Sequence, residues 1–390
     1  MSGAARIVVL GTLGSNPYAG MAWMHMQITA GLRRLGHDVY YFETTSAWPY
    51  DPVRRAYVGD STYTVPYLSR IAERFGLADR WAYRQSYCAD KAWFGMSRQR
   101  AEGLLADADF VLNVAGATRL AEEGLRRRRL VYLGTDPVYH EVTAANGDAE
   151  TASLIDEHDD SVTYGENIGT PASPIPPLPR FRGHTRQPVL IDLWQSGPPS
   201  RPVFTTVGNW RQSGHTVTYR GEEYRWSKHH EFLRFIEAPR RVTRPLELAL
   251  DLGSVPPDDR ERLERHGWRL ADAHSFTTDP GPYRDFVRAS AGEFTVAKDQ
   301  NVRLRSGWFS ERSACYLAAG RPVVTQDTGF GRVLPTGVGL FAFNTLDDVV
   351  ASFDAIALDY DKHSRAAREI AETHFRAETV LARLLADLGY

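Results

Sequence analysis

Between Arg305 and Phe330 the chain reads RSGWFSERSACYLAAGRPVVTQDTGF, and that order of residue types leaves few folds open. Ser306-Gly307 opens a turn. Ser310-Glu311 then sets a capping hydroxyl before an acid in a first helical turn. The small, apolar run Ala314–Ala319 suits a closely packed helix. Gly320 is placed to end it with a left-handed C-cap, and Pro322 prevents its restart. Pro322-Val323-Val324 begins a buried strand, followed by the polar loop Gln326-Asp327-Thr328-Gly329. A turn, a helix N-terminus and a strand-end loop therefore fall within one short segment. In a parallel α/β sheet the loops after strands gather along one edge, where ligands bind. A helix N-terminus on that edge is an anion site suited to a diphosphate.

The rest of the chain extends the pattern. Arg6–Gly11 is a continuous apolar strand leading into a glycine-bearing loop, Gly11–Gly20. Helical periodicity runs from Ala22 to Leu35, Gly36 stops it, and His37–Phe42 is the next strand, which makes a βαβ unit. Further strands are predicted at Phe110–Val114 and Leu130–Leu133, with a helix around Ser97–Ala106. Residues 44–96 are rich in aromatic side chains and read as an insertion. Prolines at 171, 174, 176, 177, 179, 188, 198, 199 and 202 give stiff, extended backbone, the strongest boundary in the sequence. Beyond it strands are predicted at Val203–Val207, Leu246–Leu250, Trp268–Leu270 and Phe294–Ala297. Helices are predicted at Trp226–Ile236, Tyr283–Ala289, Asp347–Leu358 and Lys362–Leu388. A length of 390 residues fits two domains. With 46 basic against 48 acidic residues there is no bulk charge to attract nucleic acid or anionic membrane. The two cysteines, Cys88 and Cys315, lack partners at ligand spacing, which argues against a disulfide scaffold or zinc cluster and fits a reducing cytosol. No stretch has the length of a membrane span.

The run Ala318-Ala319-Gly320-Arg321-Pro322-Val323-Val324 resembles the segment that closes the donor helix in family-4-like GT-B glycosyltransferases. The resemblance implies an α/β fold of two Rossmann-like domains facing across a cleft, with a C-terminal helix crossing back. On that pattern residues 1–185 form an acceptor-binding domain and 186–201 a Pro-rich linker. Residues 202–370 form the nucleotide-sugar domain, and 371–390 the returning helix. That branch carries two glutamates at positions that align with Gly307 and Cys315 here. The pair is absent and Glu311 lies between them, so the resemblance carries the fold and not the stereochemical outcome.

Candidate donor-binding residues follow from placing these loops on the ligand edge. Lys298, just past the strand at Phe294, can offset charge on a departing nucleoside diphosphate. Ser306, Gly307 and Ser310 supply N–H and hydroxyl groups to the diphosphate, and Glu311 is assigned to the ribose. Asp327, Thr328, Gly329 and Phe330 fall where this fold contacts the donor sugar, although the same residues also make an ordinary turn. Asn209 and Arg211 follow the strand at Val203, Lys228 begins the next helix as a second cation, and His274 and Ser275 lie near the expected base. In the first domain the Gly11–Gly20 loop does not match a dinucleotide or P-loop fingerprint. Gly14 and Ser15 instead suit a loop closing over sugar and acceptor. His25 and Asp136 are the catalytic candidates, acting on an acceptor hydroxyl or amine. His25, among Trp23, Met24 and Met26, also reads as a packed core residue.

The expected protein is thus a cytoplasmic, metal-independent glycosyltransferase. Its partners are a nucleotide-sugar donor, as co-substrate rather than cofactor, and a small-molecule acceptor, as in secondary metabolism. Nucleic acid and stable membrane insertion are not expected, and a homodimer is compatible with the sequence. A sugar-nucleotide epimerase and a non-catalytic glycosyltransferase partner are the rival readings of the same fold.

Overall fold

Runs of aliphatic and aromatic residues form strands buried on both faces, because helices cover each sheet. The computed structural model describes residues 3–44 and 46–390. The first half contains β1 (Arg6–Leu10), β2 (Asp38–Glu43), β3 (Tyr50–Asp51), β4 (Ala56–Tyr57), β5 (Trp81–Arg84), β6 (Trp93–Phe94), β7 (Phe110–Val114), β8 (Leu130–Gly134), β9 (Asp160–Thr163) and β10 (Phe181–His184). Eight of these form one sheet in the order β10-β9-β8-β7-β1-β2-β5-β6, parallel except for the β5–β6 edge. The second half contains β11 (Phe204–Gly208), β12 (Val217–Tyr219), β13 (Glu222–Tyr224), β14 (Leu246–Leu250), β15 (Arg269–Asp272), β16 (Gly292–Thr295), β17 (Val323–Gln326) and β18 (Leu340–Phe343). Its main sheet is parallel in the order β15-β14-β11-β16-β17-β18. In each sheet the strand order reverses beside the first strand, between β1 and β7 and between β11 and β16. Each reversal opens a crevice at the carboxyl ends of the strands.

Each half has its own core, and a third apolar cluster joins them. It combines Ala19 and Trp23 with Val189, Ile191 and Trp194 and with Ala314–Ala319, Phe330 and Phe375. The Trp23 Nε1–H donates to Pro280 O at 3.0 Å. Gln27 Oε1 accepts from both Leu190 N (3.1 Å) and Trp194 Nε1 (2.9 Å), so one side chain holds the linker. The last helix, Ala377–Asp387, packs on the first half through Leu381, Leu384 and Leu385. Arg129 Nη1 donates to Leu388 O (2.8 Å) and Tyr390 OH to Asp109 O (3.0 Å).

Several elements differ from the sequence expectation. Residues 44–96 are not an insertion, since β5 and β6 extend the first sheet and Tyr67, Trp81 and Tyr83 are core. The predicted helix from Lys362 to Leu388 is two, Tyr360–His374 and Ala377–Asp387. The break lets Val189 N donate to Phe375 O (2.7 Å) and Ala377 N donate to Val189 O (2.9 Å). The predicted helix at Trp226 begins only at His229, because a β12–β13 hairpin and an extended return precede it.

Candidate functional site

The crevices of the two sheets face each other. Arg55, Arg70 and Arg74 of the first half pair with Asp251, Asp272 and Asp279 of the second, and one further ion pair joins the strand ends themselves. Lys298, buried past the end of β16, pairs with Asp136 Oδ2 past the end of β8. Trp226 Nε1 donates to the same oxygen at 3.1 Å, and its ring lies 4.3 Å from the Lys298 ammonium. Burial alone would push the Asp136 carboxyl up; Lys298 and the Trp226 N–H more than offset it and hold the group below the usual carboxylate range. Asp136 Oδ1 is shielded and has no partner. Val138, two residues on, sits at φ 94° and ψ −50°, a strained conformation for a buried β-branched residue. Its N–H donates to the buried Glu141 Oε2 at 2.8 Å, which helps hold the turn that presents Asp136.

Lys228 stands beside this pair. Its ammonium lies 5.2 Å from the Trp308 ring centroid and makes no ion pair or hydrogen bond among the described residues. Burial, then the charges of Arg312 and Lys298, pull the Lys228 ammonium down to about 7. Trp308 Nε1 donates across the cleft to Thr135 O at 3.1 Å. Arg312 is fixed by Glu293 Oε1 (2.5 Å), Val207 O (2.7 Å) and Thr295 Oγ1 (2.9 Å). It lies in the first turn of the helix Glu311–Ala318, where Ser310 occupies the N-cap position but its hydroxyl makes no capping bond. Buried polar atoms without partners accumulate in these elements: Asp136 Oδ1, Glu293 Oε2, both polar atoms of Gln300, and Ser313 Oγ. Folded proteins rarely leave such groups unpaired. His215 roofs the pair, its ring 4.2 Å from Tyr139 and 4.4 Å from Trp226.

No protein-family model matches the sequence, and no curated protein sequence matches it. Solved structures do match. The chain superposes over 98% of its length on 99% of Anabaena HepE in complex with UDP-glucose, with a TM-score of 0.58 at 11% identity. It covers 100% of an alpha-glucosyltransferase in complex with UDP and DNA, and 100% of this chain is covered, with a TM-score of 0.60 at 11% identity. Sucrose-phosphate synthase from Thermosynechococcus elongatus aligns over 98% of this chain and 99% of its own, with a TM-score of 0.52 at 11% identity.

The chain has the GT-B fold.

Within the GT-B cleft the structure brings together Asp136, Lys228 and Lys298, with Glu311 contributing to the field at Lys228. Glu311 is half-buried and its side chain makes no bond among the described residues. The turn Ser306–Gly307 is knit into the protein. Ser306 Oγ donates to Asn301 Oδ1 (2.7 Å), and Gly307, at φ 75°, donates its N–H to Thr328 O (2.8 Å). Thr328 Oγ1 donates to Trp308 O (2.6 Å), Asp327 Oδ1 accepts from Gly329 N (2.7 Å), and Phe330 is core. These residues shape the cleft wall, with their polar groups largely spent on one another. Asn167, from the first half, clamps the wall by donating to Arg305 O (3.0 Å) and Gly329 O (3.1 Å).

Other expectations do not survive the geometry. His25 is fully buried, its Nδ1 2.8 Å from Met21 O, and its Nε2 accepts from Thr12 N at 3.4 Å. With both nitrogens turned to backbone groups the ring presents none to an acceptor, and burial lowers it to about 4. The N–H groups of Gly14 and Ser15 both donate to Glu43 at 2.7 Å, as does Ser15 Oγ, so this loop has none to offer a ligand. Burial pushes the Glu43 carboxyl up to about 7 in spite of those bonds. Arg211 is exposed and paired with Asp259 (2.7 Å), and Asn209 beside it is exposed. Ser275 Oγ donates to Asp272 O (2.7 Å), which spends that hydroxyl within its own turn, whereas His274 is engaged there only through its backbone N–H, to Asp272 Oδ1 (3.2 Å). Trp226, Trp308, Arg312 and Asn167 are the site residues that sequence reasoning missed. The hairpin that delivers Trp226 did leave a signal: Val217 and Tyr219 alternate with polar residues before Arg220-Gly221, which take the positive φ values 52° and 83° of a tight hairpin turn.

Proposed function

We propose that this protein is a glycosyltransferase that moves a sugar from a UDP-linked donor to a small-molecule acceptor in the cleft. The observation that carries the reading is the unpaired Lys228 ammonium, set beside Lys298 and Arg312 at the uncapped start of the helix Glu311–Ala318. A half-buried cation without an acid partner is costly unless an anion completes it. A helix N-terminus adds its own preference for phosphate oxygens. Two of the similar structures are complexes with UDP or UDP-glucose, which makes uridine the first base to test.

In this reading the two ammonium groups, Arg312 and the helix N-terminus carry the diphosphate charge that a divalent cation carries in other enzymes. Asp136 is the acceptor's base. It takes the proton of a hydroxyl or amine as that heteroatom bonds the anomeric carbon; the bond from that carbon to the diphosphate breaks, and its electron pair leaves with UDP. The acceptor is a small molecule with an apolar face, of a kind met in secondary metabolism. Tyr18 and Tyr50, stacked at 5.6 Å, and Tyr57, edge-on at 5.5 Å, supply a matching wall. The free thiols Cys88 and Cys315 fit work in a reducing cytosol.

Calorimetric titration with UDP, ADP and GDP tests the reading. We expect selective binding of one nucleotide, UDP first, and loss of that heat in Lys228→Met. Absence of binding by all three, or undiminished binding in Lys228→Met, would overturn it.

A further inference from the structure

The Asp136–Lys298 ion pair has a property that neither residue has alone. It spends one of the two lysines of the cleft on a carboxylate from the opposite half. Lys298 Nζ has Asp136 as its acid partner and the Trp226 face at 4.3 Å, while Lys228 has no acid partner among the described residues. A diphosphate arriving at Lys228 and the Glu311–Ala318 helix therefore meets one free ammonium and one already engaged.

We propose that Asp136 is a stand-in for the donor diphosphate, and that donor binding transfers Lys298 from Asp136 to the phosphate oxygens. The inference rests on the reading of this cleft as a nucleotide-sugar site. Two features support an exchange over a permanent structural bridge. First, Asp136 keeps Oδ1 shielded and unpartnered although the rest of its side chain is 38% exposed, whereas a permanent bridge to a buried lysine is expected to satisfy its shielded lone pairs. Second, the two partners come from different domains and from loops at facing crevices, so the pair is broken by motion at the cleft and not by unfolding. The Asp136 loop is held in this position in spite of strain at Val138, with the Glu141 carboxyl bonding the Val138 N–H, as expected where a group is held for a task.

The exchange has a chemical consequence. While Lys298 is engaged, Asp136 is a weak base. Once Lys298 turns to the diphosphate, the carboxyl loses the larger of the influences that lower it; the Trp226 N–H and the Lys228 charge remain, burial works against them, and its basicity rises. The base then becomes competent only when donor is in place. That ties acceptor activation to donor occupancy and sets donor before acceptor in productive encounters.

The test uses the full chain with two probes, inorganic pyrophosphate and UDP, and compares wild type with Asp136→Asn. The asparagine keeps shape and an acceptor oxygen but removes the competing charge. We expect Asp136→Asn to bind both probes about five- to tenfold more tightly, near 1.4 kcal/mol for the upper figure, while its turnover collapses. Trp226→Phe loses the bond to Asp136 Oδ2, holds the carboxylate less firmly, and is expected to tighten pyrophosphate in the same direction by a smaller factor. Thermal melting without ligand verifies that each variant is folded. Wild type that binds the probes while both folded variants bind them no tighter would overturn the exchange and leave the donor site standing. Failure of wild type and variants alike to bind either probe would overturn the donor site, and the exchange with it.

Discussion

Two helices begin at the interdomain face, one from each half, and their first turns are satisfied in opposite ways. Ahead of Ala19–Arg34 the protein supplies its own acceptors: Glu43 takes the N–H groups of Gly14 and Ser15, and Thr277 O takes Ala19 N at 2.6 Å. At Glu311–Ala318 the N-cap hydroxyl bonds nothing in the helix, and the surrounding cations outnumber their close acid partners. Both helix starts have the glycine and serine that suggest an anion site. What separates them is whether an internal carboxyl group has already filled the place. A turn-and-helix pattern by itself is therefore not sufficient, and the helix start to test for an anion is the one where the fold leaves its cation and hydroxyl unpaired.

That contrast can be broken in three ways. The largest effect is expected from Glu43→Ala, which strands the buried donors of Gly14 and Ser15. We expect a loss of about 3 kcal/mol or more of stability, read as a lower chemical-denaturation midpoint. Nucleotide affinity of the folded protein should not change; a second nucleotide bound by the variant would show that the first helix start is an anion site in waiting. The next effect is pH dependence at the second helix start. Lys228 sits near 7 when the site is empty, and a bound diphosphate favours its charged form. Nucleotide affinity should therefore fall as pH rises above about 7, approaching roughly tenfold per unit. Titrations in buffers of different ionisation enthalpy should show proton uptake on binding, and a pH-independent affinity between about 6 and 9 would remove Lys228 from the site. The smallest effect is at Ser310. Its hydroxyl caps nothing, so Ser310→Ala should leave the melting temperature unchanged and weaken UDP by about 0.5–1.5 kcal/mol. Thr345→Ala is the control, because Thr345 Oγ1 does cap its helix, accepting from Asp348 N at 3.1 Å, and its loss should cost about 1 kcal/mol of stability.

The fold was legible where local signals agree with tertiary need. Arg6–Gly11, Gly36, Gly320 and Pro322 mark strand and helix boundaries by their own backbone chemistry, and the segment from Arg305 to Phe330 placed a helix N-terminus at the cleft edge. The site was legible only in part. Lys228, Lys298 and Asp136 could be named because each begins a loop after a strand or a helix at the ligand edge. Their pairing could not, since Asp136 and Lys298 are far apart in the chain and come from different halves of the molecule. Arg312 was invisible for another reason: its partners Val207, Glu293 and Thr295 come from β11 and β16 of its own half, and only the sheet order brings those strands to its helix. His25 misled because a histidine early in a helix beside a glycine loop has the same local sequence whether it faces solvent or core. Only the packing of Gly11 and Tyr41 against its ring decides between them.

The break between the last two helices has a mechanical meaning. The chain passes between the halves twice, once near Val189 and once near Phe375, and reciprocal N–H to carbonyl bonds at Val189 stitch those two passages side by side. Two parallel tethers fastened at one point resist sliding and twisting far more than bending across their common line. Hinge motion about that line would part Asp136 from Lys298. The second tether also delivers Leu381, Leu384 and Leu385 to the core of the first half, so the hinge and that core share one segment of chain.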